Sequence, residues 1–297
     1  MSHAWVTKPG EQHRFQALQA EAQRLYAEVL AIEAAGGPDG CRICGRREPL
    51  TDEHTPSKRA GNPMRAIKLS IDDDRTAQTG EVTWTEEFIQ GGATTLSLCA
   101  SCNNSTGRWY NPDYVTLAKH CAPLARPGNA GKLCDVRLTI HPQRVLKQAL
   151  ATIVATSQPG LTERYPHLRA MLLDAEKASS VSSLRLSLFL VASAATRSSG
   201  VAVLMSAETG SGRLIAEFSC WPLGWLLTFD SEAFEGATDV SAWSEIGFHE
   251  KLDINLKVPC QWAVSPYPGD FSLPKAFNMA GSGVGAPSAE DLTGRSA

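Results

Sequence analysis

Two C-x-x-C pairs, Cys41-Arg42-Ile43-Cys44 and Cys99-Ala100-Ser101-Cys102, bracket the triplet Asp52-Glu53-His54, and Asn103-Asn104 follows the second pair at once. A C-x-x-C turn points two thiolates at one ion, and structural zinc takes four ligands in a tetrahedron. The spacing therefore predicts a zinc site made of Cys41, Cys44, Cys99 and Cys102, with Gly45 closing the first turn. A redox pair would need a βαβ context that the flanking sequence lacks. Acid, amide and imidazole groups beside such a site are suited to a second, harder cation and to proton transfer. Hard divalent ions take oxygen ligands, which Asp52 or Glu53 and Asn103 or Asn104 can supply. His54 is a base whose ordinary pKa lies near neutrality. Each has a duller role open to it: a solvated acid, a helix-capping asparagine, a structural histidine.

The stretches Cys41-Arg42-Ile43-Cys44-Gly45, Leu50-Thr51-Asp52-Glu53-His54-Thr55-Pro56-Ser57-Lys58 and Leu98-Cys99-Ala100-Ser101-Cys102-Asn103-Asn104-Ser105-Thr106-Gly107 stand in one order. That order resembles the HNH endonuclease family, in its branch with a four-cysteine zinc site, over about residues 38–115. The resemblance implies a ββα-metal fold in which a hairpin and a helix grip one divalent ion. The implied activity is phosphodiester hydrolysis, with nucleic acid, DNA by expectation, as substrate. It implies His54 as general base, Glu53 and Asn103 as ligands of a catalytic Mg²⁺ or Mn²⁺, and the four cysteines as ligands of a structural Zn²⁺. The family places its ligand directly after the last cysteine, which favours Asn103 over Asn104. Lys58, Arg59 and Arg108 are candidate contacts to the nucleic-acid backbone. Two departures stand out. The family often has a histidine where Asn103 sits, and its Gly-Gly after the proline is replaced by Arg59-Ala60-Gly61-Asn62. The competing class is a non-catalytic zinc knuckle that binds nucleic acid or protein. An acid–histidine pair set against an asparagine is what such a module has no need of.

The elements that must position these residues are legible in outline. Phe15, Leu18, Ala22, Leu25, Val29 and Ile32 recur at steps of three and four, and Gly36-Gly37-Pro38 ends the run. This predicts a helix over 11–35 whose seam either pairs two copies as a coiled coil, making a homodimer, or packs on the chain's own body. Strands are expected at Ala66–Ile71 and Gly80–Thr85 around an Asp72-Asp73-Asp74 turn, inside a long insertion between His54 and Cys99. Helices are expected from the second cysteine pair, from Pro112, from Pro142 and over Leu161–Ala178. In the third of these, Val145, Leu146, Ala149, Leu150 and Ile153 form the apolar face, with Lys147 and Gln148 outside it. Strand-like runs follow at Leu184–Leu190, Val201–Ser206, Arg213–Phe218, Trp225–Phe229 and Leu252–Val258. The fold class is therefore α+β: a long helix over 1–37, a zinc-stapled ββα-metal domain over 38–125, and an α+β domain with a mainly antiparallel sheet over 140–277. From Asn278 to residue 297 the Gly-, Ser- and Ala-rich composition predicts a disordered tail. A small nuclease module joined to an unfamiliar domain resembles, in context, bacterial antiphage defence effectors, with a protein partner expected for the second half.

The 297 residues carry a formal net charge of -3, which argues against a broad non-specific coat for DNA. Locally the balance reverses, with Arg42, Arg46, Arg47, Lys58, Arg59, Arg65 and Lys68 set against Glu48, Asp52 and Glu53 between Cys41 and Ser70. No segment has the pattern of a signal peptide, and no apolar run is long enough to span a bilayer, so a reducing cytoplasm is expected. There, paired cysteines are more often ligands than disulfides. Cys121, Cys134, Cys220 and Cys260 lack that spacing and are expected to be buried free thiols. His120 and His141 fall outside the motif.

Overall fold

The computed structural model describes residues 9–37, 40–62, 65–71, 84–90, 92–178, 183–193, 196–206, 209, 211–263 and 268–271. The chain opens with α1 (Pro9–Ala35). Its seam is used inside the chain over the last turns: Leu25, Val29 and Ile32 are buried in the common core. Backbone packs directly on backbone at its end. A Cβ on Gly160 would sit 1.7 Å from the carbonyl oxygen of Ile32, and one on Gly36 would sit 2.3 Å from the nitrogen of Gly160. Arg164 adds a two-pronged bond to Glu28, at 2.6 and 3.0 Å.

After the first cysteine pair, β1 (Leu50–His54) pairs antiparallel with β4 (Thr94–Cys99), and α2 (Ala100–Trp109) follows directly. The expected insertion is a second antiparallel pair, β2 (Arg65–Ile71) with β3 (Trp84–Gln90). The latter strand lies further along the chain than the sequence pattern suggests; residues 80–83 and the Asp72-Asp73-Asp74 turn lie outside the described residues. The replaced Gly-Gly stretch has its own solution. Lys58–Ala60 make a single 3₁₀ turn that Gly61 closes at φ 103°. Buried Asn62 then donates to the carbonyls of Pro56 and Ala93 and accepts from the Ala93 amide, each at 2.8 Å.

The second half begins with α3 (Asn111–Cys121), β5 (Leu133–Ile140) and α4 (Pro142–Thr156). Sequence reading passed over β5, although Cys134, Val136 and Ile140 face inward at the strand period of two. The helix expected over Leu161–Ala178 is two short ones, α5 (Leu161–Arg164) and α6 (Pro166–Leu173). Pro166 causes the break, because proline disfavours the helical conformation in the residue before it. The strands β6 (Arg185–Val191), β7 (Arg197–Met205), β8 (Gly212–Cys220), β9 (Leu223–Thr228), β10 (Thr238–Asp239) and β11 (Leu252–Gln261) complete a seven-stranded sheet. Its order is β5-β11-β6-β9-β8-β7, with β10 on β6. Every pairing is antiparallel except the short one between the end of β11 and β6, Cys260 to Leu190 and Gln261 to Val191. No described helix is long and apolar enough to cross a membrane. The stretch from Asn278 lies outside the described residues.

A single apolar cluster runs from Leu25 through the cysteine region to Cys260. The helix α4 is its axis and is buried on all sides, packed by β4, α2 and α3 on one flank and by β7 and β8 on the other. The expectation that Lys147 and Gln148 lie outside the apolar face is thereby overturned: Lys147 is 0% and Gln148 7% exposed. The Lys147 ammonium is accommodated by the carbonyls of Asp174 and Ala175, both at 2.8 Å. All four unpaired cysteines are buried free thiols, as expected.

Two outcomes follow from this packing. Gly160→Ala must push α1 off α5, so it should destabilise the chain by about 1–3 kcal/mol or more; equal urea midpoints for variant and parent would contradict the backbone contact. Buried thiols contribute to the alkaline limb of stability, as do the buried phenols of Tyr110 and Tyr114, which burial also raises. Burial raises Cys121 to about 12 and Cys220 and Cys260 to about 11, from 9.0. Their contribution is whole below pH 9 and is lost as pH rises toward 11, because the unfolded chain ionises first. Burial lowers Lys147 to about 8 from 10.5, so its penalty is relieved over pH 8 to 10.5. Three thiols outweigh one lysine, and urea unfolding in zinc buffer should show stability falling above pH 9, less steeply in Cys121→Ala.

Candidate metal centre and polar cavity

The four cysteines come from two turns held at one place. In the first, the Gly45 amide donates to the Cys41 carbonyl at 2.7 Å, and Gly45 itself takes φ 73°. The Arg42 amide donates to Ser97 in β4 at 2.9 Å, while Thr162 and Arg169 donate to the carbonyls of Arg42 and Ile43 at 2.7 and 3.1 Å. The second turn is the junction of β4 and α2, with Cys99 at the N-cap and Cys102 in the first turn. All four sulfurs lie within 4.8 Å of one another, with Cys44 and Cys99 3.9 Å apart. A tetrahedral zinc with bonds of about 2.3 Å separates its sulfurs by about 3.8 Å, so the cluster has the right size for zinc.

Its electrostatics call for a cation. Cys41 is lowered to about 4, first by the Cys102 thiol that donates to it and then by backbone amides. Cys102 is pushed up by the same sharing of a proton, and Cys99 by burial. One thiolate is favoured and its neighbours are held neutral, so the full set can ionise only around a positive charge. Arg46 donates to Cys44 at 3.4 Å, as a residue supporting a ligand does. The local basic excess is partly structural: the Arg42 side chain turns inward and donates to the Ala155 carbonyl at the end of α4.

Beside this cluster is a cavity of about 260 Å³. Asp52, Glu53 and His54 from β1, Lys58 from the following turn and Asn103 from α2 line it together. Neighbours on a flat strand face opposite sides, but the β1–β4 register shifts between Thr51 and Asp52, and such a bulge re-aims the side chains beyond it. Asn103 is fixed by donating its amide to Thr51 Oγ1 at 3.0 Å, which itself donates to Leu98. Its Oδ1 has no protein hydrogen bond among the described residues. Asn104 is exposed and lines no part of the cavity, so Asn103 is the one that faces Glu53. Of the two acids, Asp52 is exposed whereas Glu53 Oε2 is buried with no hydrogen-bond partner. The Glu53 carboxyl is raised to about 7, chiefly by burial and next by the charge of Cys41. His54 stands at the end of β1, and neither ring nitrogen is hydrogen-bonded to protein among the described residues.

The structure leaves two sequence-predicted contacts elsewhere. Arg59 and Arg108 are exposed and line no part of the cavity, Arg108 lying in the last turn of α2. His120 is also exposed, and His141 is bonded through Nδ1 to Asp113 at 3.0 Å. Conversely, Ser57, Asn111 and Gln148 line the cavity and went unread. Asn111 precedes a proline at a helix start and Gln148 sits in an apolar helix; neither pattern signals a site. The cavity residues carry the functional reading by themselves, since comparison with protein-family models, curated proteins and solved structures finds no match for this chain.

Purified protein should contain one zinc per chain. Cys41→Ser or Cys99→Ser should release it and lower the melting temperature by about 10 °C or more, because the ligated turns are part of the shared core. Metal analysis that finds the folded parent free of zinc would refute the assignment.

Proposed function

We propose that this chain is a metal-dependent endonuclease of HNH type, hydrolysing nucleic-acid phosphodiesters with DNA as the expected substrate. The observation that carries it is the convergence of Glu53, His54 and Asn103 on one cavity, from a strand–strand–helix unit stapled by the cysteine cluster. The donor set fits a hard divalent ion: a buried carboxylate oxygen without a partner, and an amide held by its nitrogen with its oxygen unengaged. Mg²⁺ or Mn²⁺ bound there would neutralise charge on the phosphate and on the leaving O3′.

The chain's own groups supply the remainder. His54 takes the proton of the attacking water at a ring nitrogen that no protein group occupies. Lys58, exposed at the rim, meets a phosphate oxygen and draws the backbone over the cavity. Thr51 holds Asn103 in place, and the β1–β4 pairing holds His54 relative to Asn103. A Zn²⁺ held by Cys41, Cys44, Cys99 and Cys102 would be structural, since four thiolate ligands would leave no open position for substrate.

The test is cleavage of plasmid and single-stranded substrates by purified protein with Mg²⁺, Mn²⁺ or EDTA. Cleavage should stop in EDTA after brief treatment that leaves zinc bound, and return with Mg²⁺ or Mn²⁺. His54→Ala should keep zinc and nucleic-acid binding while losing about 10²–10⁴-fold in rate. Binding without cleavage under every metal condition would turn the reading to a zinc-stapled binding module.

A further inference from the structure

Beyond the three motif residues, the cavity holds three more polar groups whose oxygens have nothing to bond. Ser57 Oγ, Asn111 Oδ1 and Gln148 Oε1 are buried without a hydrogen-bond partner, as Glu53 Oε2 is, and all four residues line the same space. An orphaned buried polar atom costs about 1–3 kcal/mol, so four at one place demand a common cause. Gln148 is the sharpest case. It sits in the middle of α4 between Lys147 and Ala149, is only 7% exposed, and forms no hydrogen bond at either end of its amide among the described residues. Its neighbour Lys147 is explained by two carbonyls. Gln143 on the same helix donates its nitrogen to the Ser244 carbonyl at 3.3 Å, though its Oε1, away from this cavity, is also without a partner; Gln148 has neither end engaged. Ser57, at the position preceding the 3₁₀ turn, makes no capping bond.

The polarity of these atoms decides what they await. A carboxylate oxygen and two amide oxygens are acceptors, and a phosphate oxygen brought against them would be repelled. They are matched by a cation, or by water that donates to them. Carboxylate and amide oxygens are the ligands of Mg²⁺, Ca²⁺ and Mn²⁺ rather than of soft metals. Neutral amides also add ligands without adding negative charge, which leaves the ion electropositive toward a phosphate.

We propose that Gln148 of α4 and Asn111 at the head of α3 are ligands of the divalent cation in this cavity, joining Glu53 and Asn103, so that the second half of the chain completes the cation site. This rests on the cavity holding the cation of the proposed nuclease. It adds two protein ligands to Glu53 and Asn103, the pair that the resemblance implies.

The experiment is Mn²⁺ binding to zinc-loaded, full-length protein, followed by electron paramagnetic resonance and calorimetry, with cleavage assayed separately. Gln148→Met, which keeps the side-chain length without the oxygen, should weaken Mn²⁺ binding by about 10–100-fold, with zinc content unchanged. Asn111→Ala should act in the same direction. Gln148→Glu guards against misfolding of the first variant, since a carboxylate in a ligand position should tighten Mn²⁺, whereas in a merely structural position it would lower stability and leave Mn²⁺ affinity as it was. Unchanged affinity in folded Gln148→Met, or no Mn²⁺ bound by the parent, overturns the proposal, the latter meaning that water alone fills the cavity. Mn²⁺ binding that depends on Gln148 in a protein that cuts no nucleic acid upholds the ligand set and removes the nuclease reading instead.

Discussion

Burial of α4 on every side is the constraint from which the rest of the molecule takes its positions. A helix in a two-layer fold has one apolar stripe and one wet face. Here the sheet covers one flank and the cysteine-stapled unit covers the other, so the polar residues on the second flank must find partners inside. Lys147 finds backbone carbonyls, Gln143 finds Ser244, and Gln148 is left facing the cavity. Arg42, next to a cysteine ligand, bonds the last turn of the same helix. The cysteine-stapled unit and the sheet are therefore two coverings of one helix.

Charge in this arrangement is placed where it is costly. The cysteine cluster favours a single thiolate, and its field is among the causes that raise the Glu53 carboxyl. Two anionic centres thus disfavour one another across the base of β1. In the conceptual scheme of buried charges, an unpaired one is strongly destabilising and is retained where a ligand restores the balance.

Much of this was legible in the sequence because the signals are local. A C-x-x-C pair is read within four residues, and the order of cysteine pair, acid–histidine and Cys-Asn anticipated which residues would converge. The strands from Arg185 onward, β10 excepted, were visible as strand-like runs, with their ends moved by a few residues. What escaped depends on tertiary surroundings. Gln148 falls on the polar side of α4 by any helical pattern, and only the second covering layer puts it inside. Leu25, Val29 and Ile32 suit a partner helix and the chain's own body equally well, and the backbone contact at Gly160 that seats their end of the helix on the body has no sequence signature. The division of Leu161–Ala178 at Pro166, by contrast, was signalled by the proline and simply passed over.

Asn62 has a consequence for how this molecule can vary. By bonding to both Pro56 and Ala93, it brings the two ends of the excursion between β1 and β4 together at a fixed gate, inboard of which lie the strand pair and the cysteine turns. Chain beyond the gate transmits its length to the interior only as loop-closure entropy, which rises by about 0.6 kcal/mol for each doubling. The pair of β2 and β3 can thus be shortened, lengthened or exchanged while the register between His54 and Thr94 stays put. A lineage, or an engineer, is free to rewrite what the protein touches from this one port without re-solving the packing beneath it.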